Sequence, residues 1–423
     1  MQHVDSYYAA SANPSPERQP LRGELAADVC VIGGGISGCS TALHLAERGY
    51  RVVLLEGRRI GWGASGRSGG QALPGFGTSM STLLQQVGRD DARRMWDISA
   101  EGVELLRRRV EQHRIDCDLH WGQMHVGVRP RHPTELSVWQ RELEQDYGYQ
   151  GLRYLSKAEV GEWLATDRYN SGLYDPRGGH LHPLNYTLGL AAAAEQAGAT
   201  LYERSMVTRL VPGNKLRVET AQGVVSAESA AICCNAYIEE LVPGIRARIM
   251  PVGTYIVATE PVGEQRLRET IRDNVAVTDI NWVLDYFRCS SDHRLLFGGR
   301  VSYSGLDPLN TRGVTRARMV KVFPQFKDLR IDYAWGGWLD VTMNRAPDFN
   351  RIAPNIYYLQ GFSGHGIALT GMAGALVAEA IAGQAERFDL FTKLKHRDFP
   401  GGRMLRTPLL VLGMLWYRLR DLL

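Results

Sequence analysis

Residues 28–56 of the chain read DVCVIGGGISGCSTALHLAERGYRVVLLE. Residues 28–32 form a short apolar run that ends at glycine, and residues 51–56 form a second apolar run, as buried parallel strands do. Between the two runs, residues 36–48 have the composition of a helix, which Gly49 is expected to end. The segment therefore predicts a strand, a helix and a second, parallel strand, which together make one β-α-β unit.

The turn between the first strand and the helix carries glycines with the spacing of a dinucleotide-binding loop. The first glycine permits a tight turn, the second lets the backbone approach a pyrophosphate, and the third lets the helix pack against the strand. Glu56 ends the second strand, where a carboxylate can accept a hydrogen bond from a ribose hydroxyl. A glycine-rich turn without a ligand is disfavoured, because every part of the pattern is present. The predicted contacts of this loop are Gly33, Gly35, Ile36, Ser37, Gly38 and Glu56.

Two further glycine-rich loops favour FAD over a nicotinamide cofactor. Residues 61–71 read GWGASGRSGGQ and follow the second strand closely; the ribityl chain and flat ring of a flavin need such close backbone approach. Residues 360–366 read QGFSGHG and lead into an apolar helix, whose N-terminus would stabilise the negative charge that a flavin gains on reduction. An ordinary glycine-rich connection with an incidental His365 is the alternative for the third loop alone.

The length and composition predict a globular protein of two domains. The chain has 423 residues, of which 44% are hydrophobic and 22% charged, so a disordered or fibrous protein is excluded. Its 49 basic and 45 acidic residues are dispersed and give a net charge of +4, so no nucleic-acid partner is expected.

The order of the predicted elements indicates that one domain is inserted into the other. A mainly helical region is predicted over residues 79–162, further helices over 182–197 and 367–382, and strands over 200–211, 224–233, 254–259, 282–288, 294–299, 330–339 and 355–360. The predicted fold class is α/β plus α+β: a Rossmann-type FAD-binding domain (residues 1–78, 165–243 and 346–395) and a substrate domain (79–164 and 244–345) on a large, mostly antiparallel sheet. Residues 396–423 are expected to form a tail with an apolar helix.

Cysteine usage and hydropathy predict a cytoplasmic protein. The six cysteines show no CxxC spacing, which favours a reducing compartment. No signal peptide or membrane span is expected, since the most apolar segment of the tail covers only residues 408–417, before Arg418 and Arg420. That segment is expected either to dock on the protein or to lie at the inner face of a membrane.

The chain resembles the D-amino-acid-oxidase superfamily of flavoproteins, in its sarcosine and glycine oxidase branch, and within it most narrowly the gamma-glutamylputrescine oxidases. The resemblance runs from SYYAASAN at residues 6–13, through the loop around Arg67, to PGGR at residues 400–403. It implies FAD, a substrate bound over the flavin face, and hydride transfer from a C–N bond to give an imine that water hydrolyses. The cofactor contacts that it implies are Ala64, Ser65, Arg67, Ser68, Gly69, Gly70, Gln71, Val207, Gly364, His365, Gly366 and Ile367.

No catalytic residue is certain from the sequence, and no metal is expected; the candidates are His365, which would stabilise the reduced flavin, and Arg300, whose planar fork suits a carboxylate. Residues that could line a substrate pocket, with ordinary packing as the alternative, are Phe76, Thr254, Tyr286, Arg300 and Met343. The expected substrate is an amine or amino acid, such as a gamma-glutamylated diamine or, alternatively, a cyclic imino acid like L-pipecolate. Oxygen or a respiratory-chain acceptor would take the electrons. Two other hypotheses are a membrane-peripheral dehydrogenase that uses residues 405–423 as an anchor, and a non-catalytic flavin-binding protein.

Overall fold

Residues 28–56 fold as the predicted β-α-β unit, and Val29 of the first strand lies opposite Val52 of the second in a parallel pair. The computed structural model describes residues 2–302 and 310–400, and of residues 300–302 it describes the backbone. The expected tail helix at residues 408–417 therefore lies outside the described residues.

The strands of the described part form two sheets. In chain order they are β1 (Gly23–Ile32), β2 (Val52–Leu55), β3 (Gln71–Ala72), β4 (His120–Gly127), β5 (Arg153–Ser156), β6 (Ser171–His180), β7 (Thr200–Tyr202), β8 (Val207–Val211), β9 (Leu216–Thr220), β10 (Gly223–Ile232), β11 (Ile249–Thr259), β12 (Ala276–Asp279), β13 (Tyr286–Cys289), β14 (Leu295–Ser302), β15 (Ile331–Thr342), β16 (Asp348–Ala353) and β17 (Ile356–Gln360). The first sheet has the order β16-β17-β10-β1-β2-β7, and β9 and β8 extend it from β10. The second has the order β15-β11-β14-β13-β12-β4-β6-β3, with β5 beside β6.

The helices of the described part surround these sheets. They are α1 (Tyr7–Ala10), α2 (Ile36–Ala46), α3 (Met80–Val87), α4 (Arg89–Gln112), α5 (His132–Gln145), α6 (Lys157–Trp163), α7 (Pro183–Gln196), α8 (Pro243–Arg246), α9 (Glu264–Thr270), α10 (Thr311–Val322), α11 (Ile367–Ile381) and α12 (Glu386–Thr392). Helix α2 packs against both α7 and α11, and α11 also packs against α4. Across residues 2–302 and 310–400, no single helix combines the length and hydropathy required to cross a bilayer.

Strand direction confirms the predicted fold class. In the first sheet, β2, β1, β10 and β17 run parallel, as the apolar runs of the Rossmann-type segments predict. In the second sheet every pair is antiparallel except β12 with β4. Residues 171–180, which the predicted boundaries assign to the FAD-binding domain, form β6 of this second sheet. The division of the chain into domains remains a prediction.

One expectation about local structure was incomplete, and another was wrong. The region predicted as mainly helical also contains β4 and β5, which the second sheet holds in place. The single strand predicted over residues 200–211 is two strands, because Arg204 has a positive φ of 53° and the chain turns there. The amide of Ser205 then donates to the Glu56 carbonyl over 2.8 Å, so the turn closes on the end of β2.

Two buried acids, Asp279 and Asp285, lie within the second sheet and the connection that follows β12. Asp285 accepts a 2.6 Å hydrogen bond from Arg318, whereas Oδ2 of Asp279 has no hydrogen-bond partner among the described residues. Burial, and next the charge of Asp285, raise the pKa of Asp279 from 3.8 to about 7. In the folded protein this carboxyl therefore holds its proton at a pH where the unfolded chain has lost it.

We expect Asp279→Asn to stabilise the protein most at alkaline pH. Because the folded pKa is raised, the wild type is most stable relative to the variant below pH 4, and it loses that stability as the pH rises through about 7. The gain in the free energy of unfolding should reach a few kcal/mol by pH 8, since a pKa shift of one unit corresponds to about 1.4 kcal/mol. Denaturant unfolding of both proteins from pH 4 to pH 8 measures it, with the exposed Asp273→Asn as the control. If the free energies of unfolding of the two proteins differ by the same amount at every pH in this range, the pKa of Asp279 is not raised.

Candidate cofactor and substrate site

The first glycine-rich loop lies at the carboxyl end of β1, where two strands come close. Gly33 has φ of +109°, and a Cβ at this position would lie 2.6 Å from the carbonyl oxygen of Cys233 on the neighbouring chain segment. Helix α2 begins at Ile36, and the Ile36 amide donates to Oγ of Ser65 over 3.0 Å. Ser37, in the first turn of this helix, is buried. The first and second loops therefore meet at the N-terminus of α2.

Glu56 lies at the same end of the first sheet and binds two backbone amides there. Its two carboxylate oxygens accept hydrogen bonds of 2.7 Å from the amides of Gly34 and Arg58. Burial raises the pKa of this carboxyl. Val207 begins β8 just after the turn that closes on Glu56, and it packs in an apolar cluster with Val53. The structure thus brings Glu56 and Val207 to one place, although they are far apart in the sequence.

The second loop is fixed by backbone contacts on both sides. Ala64–Gly66 forms a 3-10 turn, whose first carbonyl accepts the amides of Arg67 and Ser68. The Arg67 guanidinium lies 4.0 Å from the ring centroid of Trp62, and its Nε donates to the Trp62 carbonyl over 2.7 Å. The carbonyl of Arg67 accepts Nε1–H of Trp335 over 2.9 Å. Strand β15 therefore holds the middle of this loop.

Arg288, which sequence reasoning missed, holds the next part of the loop. Its side chain is only 2% exposed. It donates to the carbonyls of Gly69 and Leu181, both over 2.9 Å, and to the hydroxyl of Tyr8 over 3.0 Å. Tyr8 is fully buried in the segment 6–13, and its ring also meets Trp335 edge to face. A single buried guanidinium thus joins the N-terminal segment, the second sheet and the loop predicted to contact the flavin.

The third loop precedes α11 and contains three residues with positive φ, Gly361 (79°), Ser363 (52°) and Gly364 (87°). Nε2 of His365 lies 3.0 Å from the Pro74 carbonyl, which can only accept, so the ring donates there. Burial, opposed in part by this bond, and the nearby charge of Arg345 lower the pKa of His365, which keeps the imidazole neutral. Gly366 and Ile367 then start α11, whose N-terminal end favours negative charge.

A buried acid, Asp340, is hydrogen-bonded to the third loop. Asp340, which has no exposed surface, accepts hydrogen bonds from the Gly361 amide and from Nδ2 of Asn235, the latter over 3.0 Å. The Ser363 amide donates to the Asp340 carbonyl over 2.9 Å. Burial raises the pKa of the Asp340 carboxyl to about 6. No local sequence signal marks this role, because Asp340 lies in strand β15 and not in a glycine-rich loop.

Two of the predicted substrate residues lie on the face of the second sheet that meets the second loop. A Cβ at Gly69 would lie 2.7 Å from the ring of Tyr286, so the absence of a side chain at Gly69 leaves room for this ring. Thr254 pairs with Gly337, over which the side chain of Arg67 packs. Gln71 at the end of the loop donates to the Val277 carbonyl over 3.0 Å and accepts from the Thr278 hydroxyl. Thr254 and Tyr286 are therefore adjacent to the second loop.

Of the other three predicted substrate residues, two lie elsewhere in the structure, and the side chain of the third is outside the described part. Phe76 is buried in the main apolar core and packs against Phe391, so its position favours ordinary packing. Met343 is half exposed just beyond the end of β15. Arg300 occupies a position on β14 opposite Tyr255, and its side chain lies outside the described part of the structure. The hypothesis that Arg300 binds a carboxylate therefore remains a prediction.

The arrangement suits a long, flat dinucleotide. The three loops follow β1, β2 and β17, which are parallel strands of one sheet, so their carboxyl ends share one edge. A Cβ would lie 2.6 Å from the Cys233 carbonyl oxygen at Gly33 and 2.7 Å from the Tyr286 ring at Gly69, so these two positions leave little room for side chains. Within residues 2–302 and 310–400, no group of three or more His, Cys, Asp or Glu side chains could hold a metal ion. The described cysteines are all free thiols.

Comparison with known proteins gives one consistent result. The profile of a family described as "FAD dependent oxidoreductase" matches residues 28–380. The chain is 42% identical to "Gamma-glutamylputrescine oxidoreductase" of Escherichia coli over 421 residues, which is 99% of each protein. It is 41% identical to "Probable oxidoreductase OrdL" of Haemophilus influenzae over 99% of this chain and 98% of the relative.

Solved structures share the fold. Glycine oxidase from Geobacillus kaustophilus superposes with a TM-score of 0.76 at 22% identity, over 88% of this chain and 99% of that one. L-proline dehydrogenase from P. horikoshii gives a TM-score of 0.70 at 23% identity, over 88% and 98% of the two chains.

Proposed function

Because the chain belongs to the family of FAD-dependent oxidoreductases that act on the C–N bonds of amines and amino acids, we propose that its substrate is a gamma-glutamylated diamine or a closely related N-acylated amine. The observation that carries the proposal is the identity of 42% with the Escherichia coli enzyme, which extends over 99% of both chains. Such an extent includes the second sheet, where the substrate would bind, as well as the cofactor loops.

We propose that each of the three loops binds a different part of the FAD. The backbone of residues 33–38 and the N-terminus of α2 would bind the pyrophosphate, with Glu56 at the ribose and Val207 at the adenine. Residues 64–71 would follow the ribityl chain and ring, and residues 364–367 would face the pyrimidine edge. When bound, FAD supplies the hydride acceptor for oxidation of the carbon next to the amine nitrogen.

The side chains of the second sheet would position the amine. Tyr286 and Thr254 lie against the second loop and are suited to form one wall of the pocket. Burial raises the pKa of the Tyr286 hydroxyl, so this group stays a neutral donor and does not act as a base. The neutral ring of His365 donates to Pro74 and thereby fixes the third loop beside the reacting atoms. These residues bind and orient the amine and exclude water from it.

Anaerobic titration tests the substrate class. We expect gamma-glutamylputrescine to bleach the flavin absorbance near 450 nm, and putrescine, L-proline and L-pipecolate to do so at least about tenfold more slowly. Apoprotein without FAD is the blank, and sodium dithionite shows the amplitude of full reduction. Bleaching by the cyclic imino acids alone would refute the proposal in favour of an imino-acid oxidase. A flavin that no amine reduces would point to a non-catalytic flavoprotein.

The reaction needs an oxidant, for which we propose oxygen or a respiratory-chain acceptor in the cytoplasm. Admission of air or of a soluble quinone to the bleached enzyme distinguishes the two by the rate at which the yellow colour returns. Peripheral membrane contact through residues 405–423 stays a prediction, since these residues lie outside the described part. Fractionation of the full chain and of a chain without residues 405–423 tests it.

A further inference from the structure

One edge of the second sheet brings two connections together beside the third loop. Strands β12 and β15 both end at this edge, because they run in the same direction across the antiparallel pairs between them. Residues 280–285 follow β12 and residues 343–346 follow β15, and we call these two segments the rim. Cζ of Arg345 lies 5.4 Å from the ring centroid of Trp282. The two halves of the rim are therefore in contact, although β11, β14 and β13 separate their strands.

The half of the rim that carries Arg345 is a closed turn. Oδ1 of Asn344 accepts the Ala346 amide over 3.2 Å and the Thr342 hydroxyl over 3.1 Å. The Arg345 amide donates to the Thr342 carbonyl over 3.1 Å, and Arg345 has a positive φ of 58°. These bonds fix the backbone from which the Arg345 side chain extends.

The rim adjoins the loops that are predicted to contact the flavin. A Cβ at Gly77 would lie 2.9 Å from the Ser363 carbonyl oxygen and 3.3 Å from the Arg345 carbonyl oxygen, so the turn packs against the third loop. Burial, and to a smaller extent the charge of Arg345, lower the pKa of His365. The guanidinium of Arg345 is therefore near the imidazole that would lie beside the reacting atoms.

The rim combines a positive charge with exposed apolar side chains. Trp282 is 40% exposed, Met343 is 50% exposed, and Arg345 is partly exposed, so a ligand can reach all three. A guanidinium has five N–H donors, and it binds a carboxylate through two parallel hydrogen bonds in addition to its contacts within the protein. The indole ring offers a flat apolar surface to methylene groups. The rim therefore suits an aliphatic chain that ends in a carboxylate.

The proposed substrate carries its carboxylate at the end remote from the reacting carbon. In gamma-glutamylputrescine about nine bonds separate the two, as in three residues of extended chain, which is about 10 Å. When the amine lies over the flavin, the carboxylate therefore lies away from the ring, toward the opening of the site. In an α-amino acid, by contrast, the carboxylate is attached directly to the reacting carbon. A guanidinium at the rim thus favours the longer substrate.

We infer that Arg345 is a specificity residue that binds the carboxylate of the glutamyl group, and that Trp282 positions its guanidinium and covers the methylene chain. The inference rests on the proposed function, because it takes the amine to be oxidised over the flavin. Arg300, the arginine predicted from the sequence, lies opposite Tyr255, which also pairs with Gly336 of β15. It is therefore inside the sheet and not at the rim, so variants can separate the two arginines.

Matched substrates test the inference on the FAD-loaded enzyme, with Kd taken from the concentration dependence of anaerobic bleaching. We expect Arg345→Met to raise the Kd for gamma-glutamylputrescine and N-glutarylputrescine at least about tenfold, which corresponds to about 1.4 kcal/mol. The Kd for N-butyrylputrescine, which has the same chain without the carboxylate, should change less than about twofold. Arg345→Lys keeps the charge but not the planar fork, so a smaller loss is expected. The exposed Arg268→Met on α9 is the matched control.

The outcomes separate the inference from the proposed function. If gamma-glutamylputrescine bleaches the wild type but Arg345→Met binds it equally well, the inference fails and the proposed function stands. A selective loss in Arg300→Met and not in Arg345→Met would also overturn it, as would equal losses for N-butyrylputrescine and the two acids. If gamma-glutamylputrescine does not bleach the wild type, the proposed function itself fails. Unchanged flavin spectra and melting temperatures in the variants exclude misfolding as the cause of a selective loss.

Discussion

Gly38→Ala is expected to yield a protein that no longer retains FAD. A Cβ at this position would overlap the carbonyl oxygen of Gly33 and would lie 3.4 Å from Val31. Neither neighbour can yield easily, because Gly33 stands at a positive φ and Val31 is fully buried in β1. Overpacking of this kind costs about 1–3 kcal/mol, and the displacement falls on the turn that would bind the pyrophosphate. We therefore expect the Kd for FAD to rise about 10- to 100-fold.

The flavin content of the purified protein, read from its absorbance at 450 nm, measures this effect. Gly161→Ala is the matched control, since this glycine is on the helix α6 and no other group lies within 4 Å of the added methyl. That variant should keep its FAD and be stabilised by up to about 1 kcal/mol, because alanine is the better helix former. A Gly38→Ala protein as yellow as the wild type would show that the first loop does not hold the cofactor.

Arg288→Leu should both destabilise the protein and loosen the flavin. The substitution removes the donor to four buried acceptors, the carbonyls of Gly69, Leu181 and Cys289 and the hydroxyl of Tyr8. Each unsatisfied acceptor costs about 1–3 kcal/mol, so a loss of several kcal/mol is expected. In a chain of this size that lowers Tm on the order of 10 °C. Because Gly69 belongs to the second loop, the variant should also release FAD at a lower temperature than that of unfolding.

Thermal melts followed by flavin fluorescence and by circular dichroism separate the two effects. Tyr8→Phe removes one of the four acceptors, so a smaller loss in the same direction is expected. Arg153→Leu is the control: this arginine is exposed and its side chain pairs with Glu159 at the surface, so its loss should change stability by less than about 0.5 kcal/mol. A normal melt for Arg288→Leu would mean that the loop is held by its other contacts.

The parts of the fold that could be predicted are those with local signals. The apolar runs and glycines of residues 28–56 define strands, a helix and a turn within a short segment, and the structure has them within a few residues. The long apolar helix α11 was predicted over 367–382 and is observed over Ile367–Ile381. The three glycine-rich loops were recognisable because close backbone approach restricts the residue type directly.

The features of the fold and of the site that could not be predicted depend on contacts between segments that are distant in the sequence. Ser65 accepts the amide of Ile36, and Arg288 binds Tyr8, yet nothing in either pair of positions marks the partner. Phe76 was a reasonable substrate candidate because it follows the second loop, but an apolar ring there fits the core equally well. The alternation of polar Gln123 and His125 with apolar Met124 and Val126 was a signal for a strand that the mainly helical interpretation of residues 79–162 missed.

The pairing order of the first sheet has a consequence for biosynthesis. Its central strand β1 has Gly23 opposite Gly223 of β10, and β10 in turn pairs with β17 at residues 356–358. Non-local pairing of this kind slows folding, because the intervening chain must be ordered first. While a ribosome is still translating the segment before residue 356, residues 230–232 of β10 lack the strand that covers their outer edge. Assembly of the flavin cradle is thus a late event, and the nascent chain depends on protection from aggregation until then.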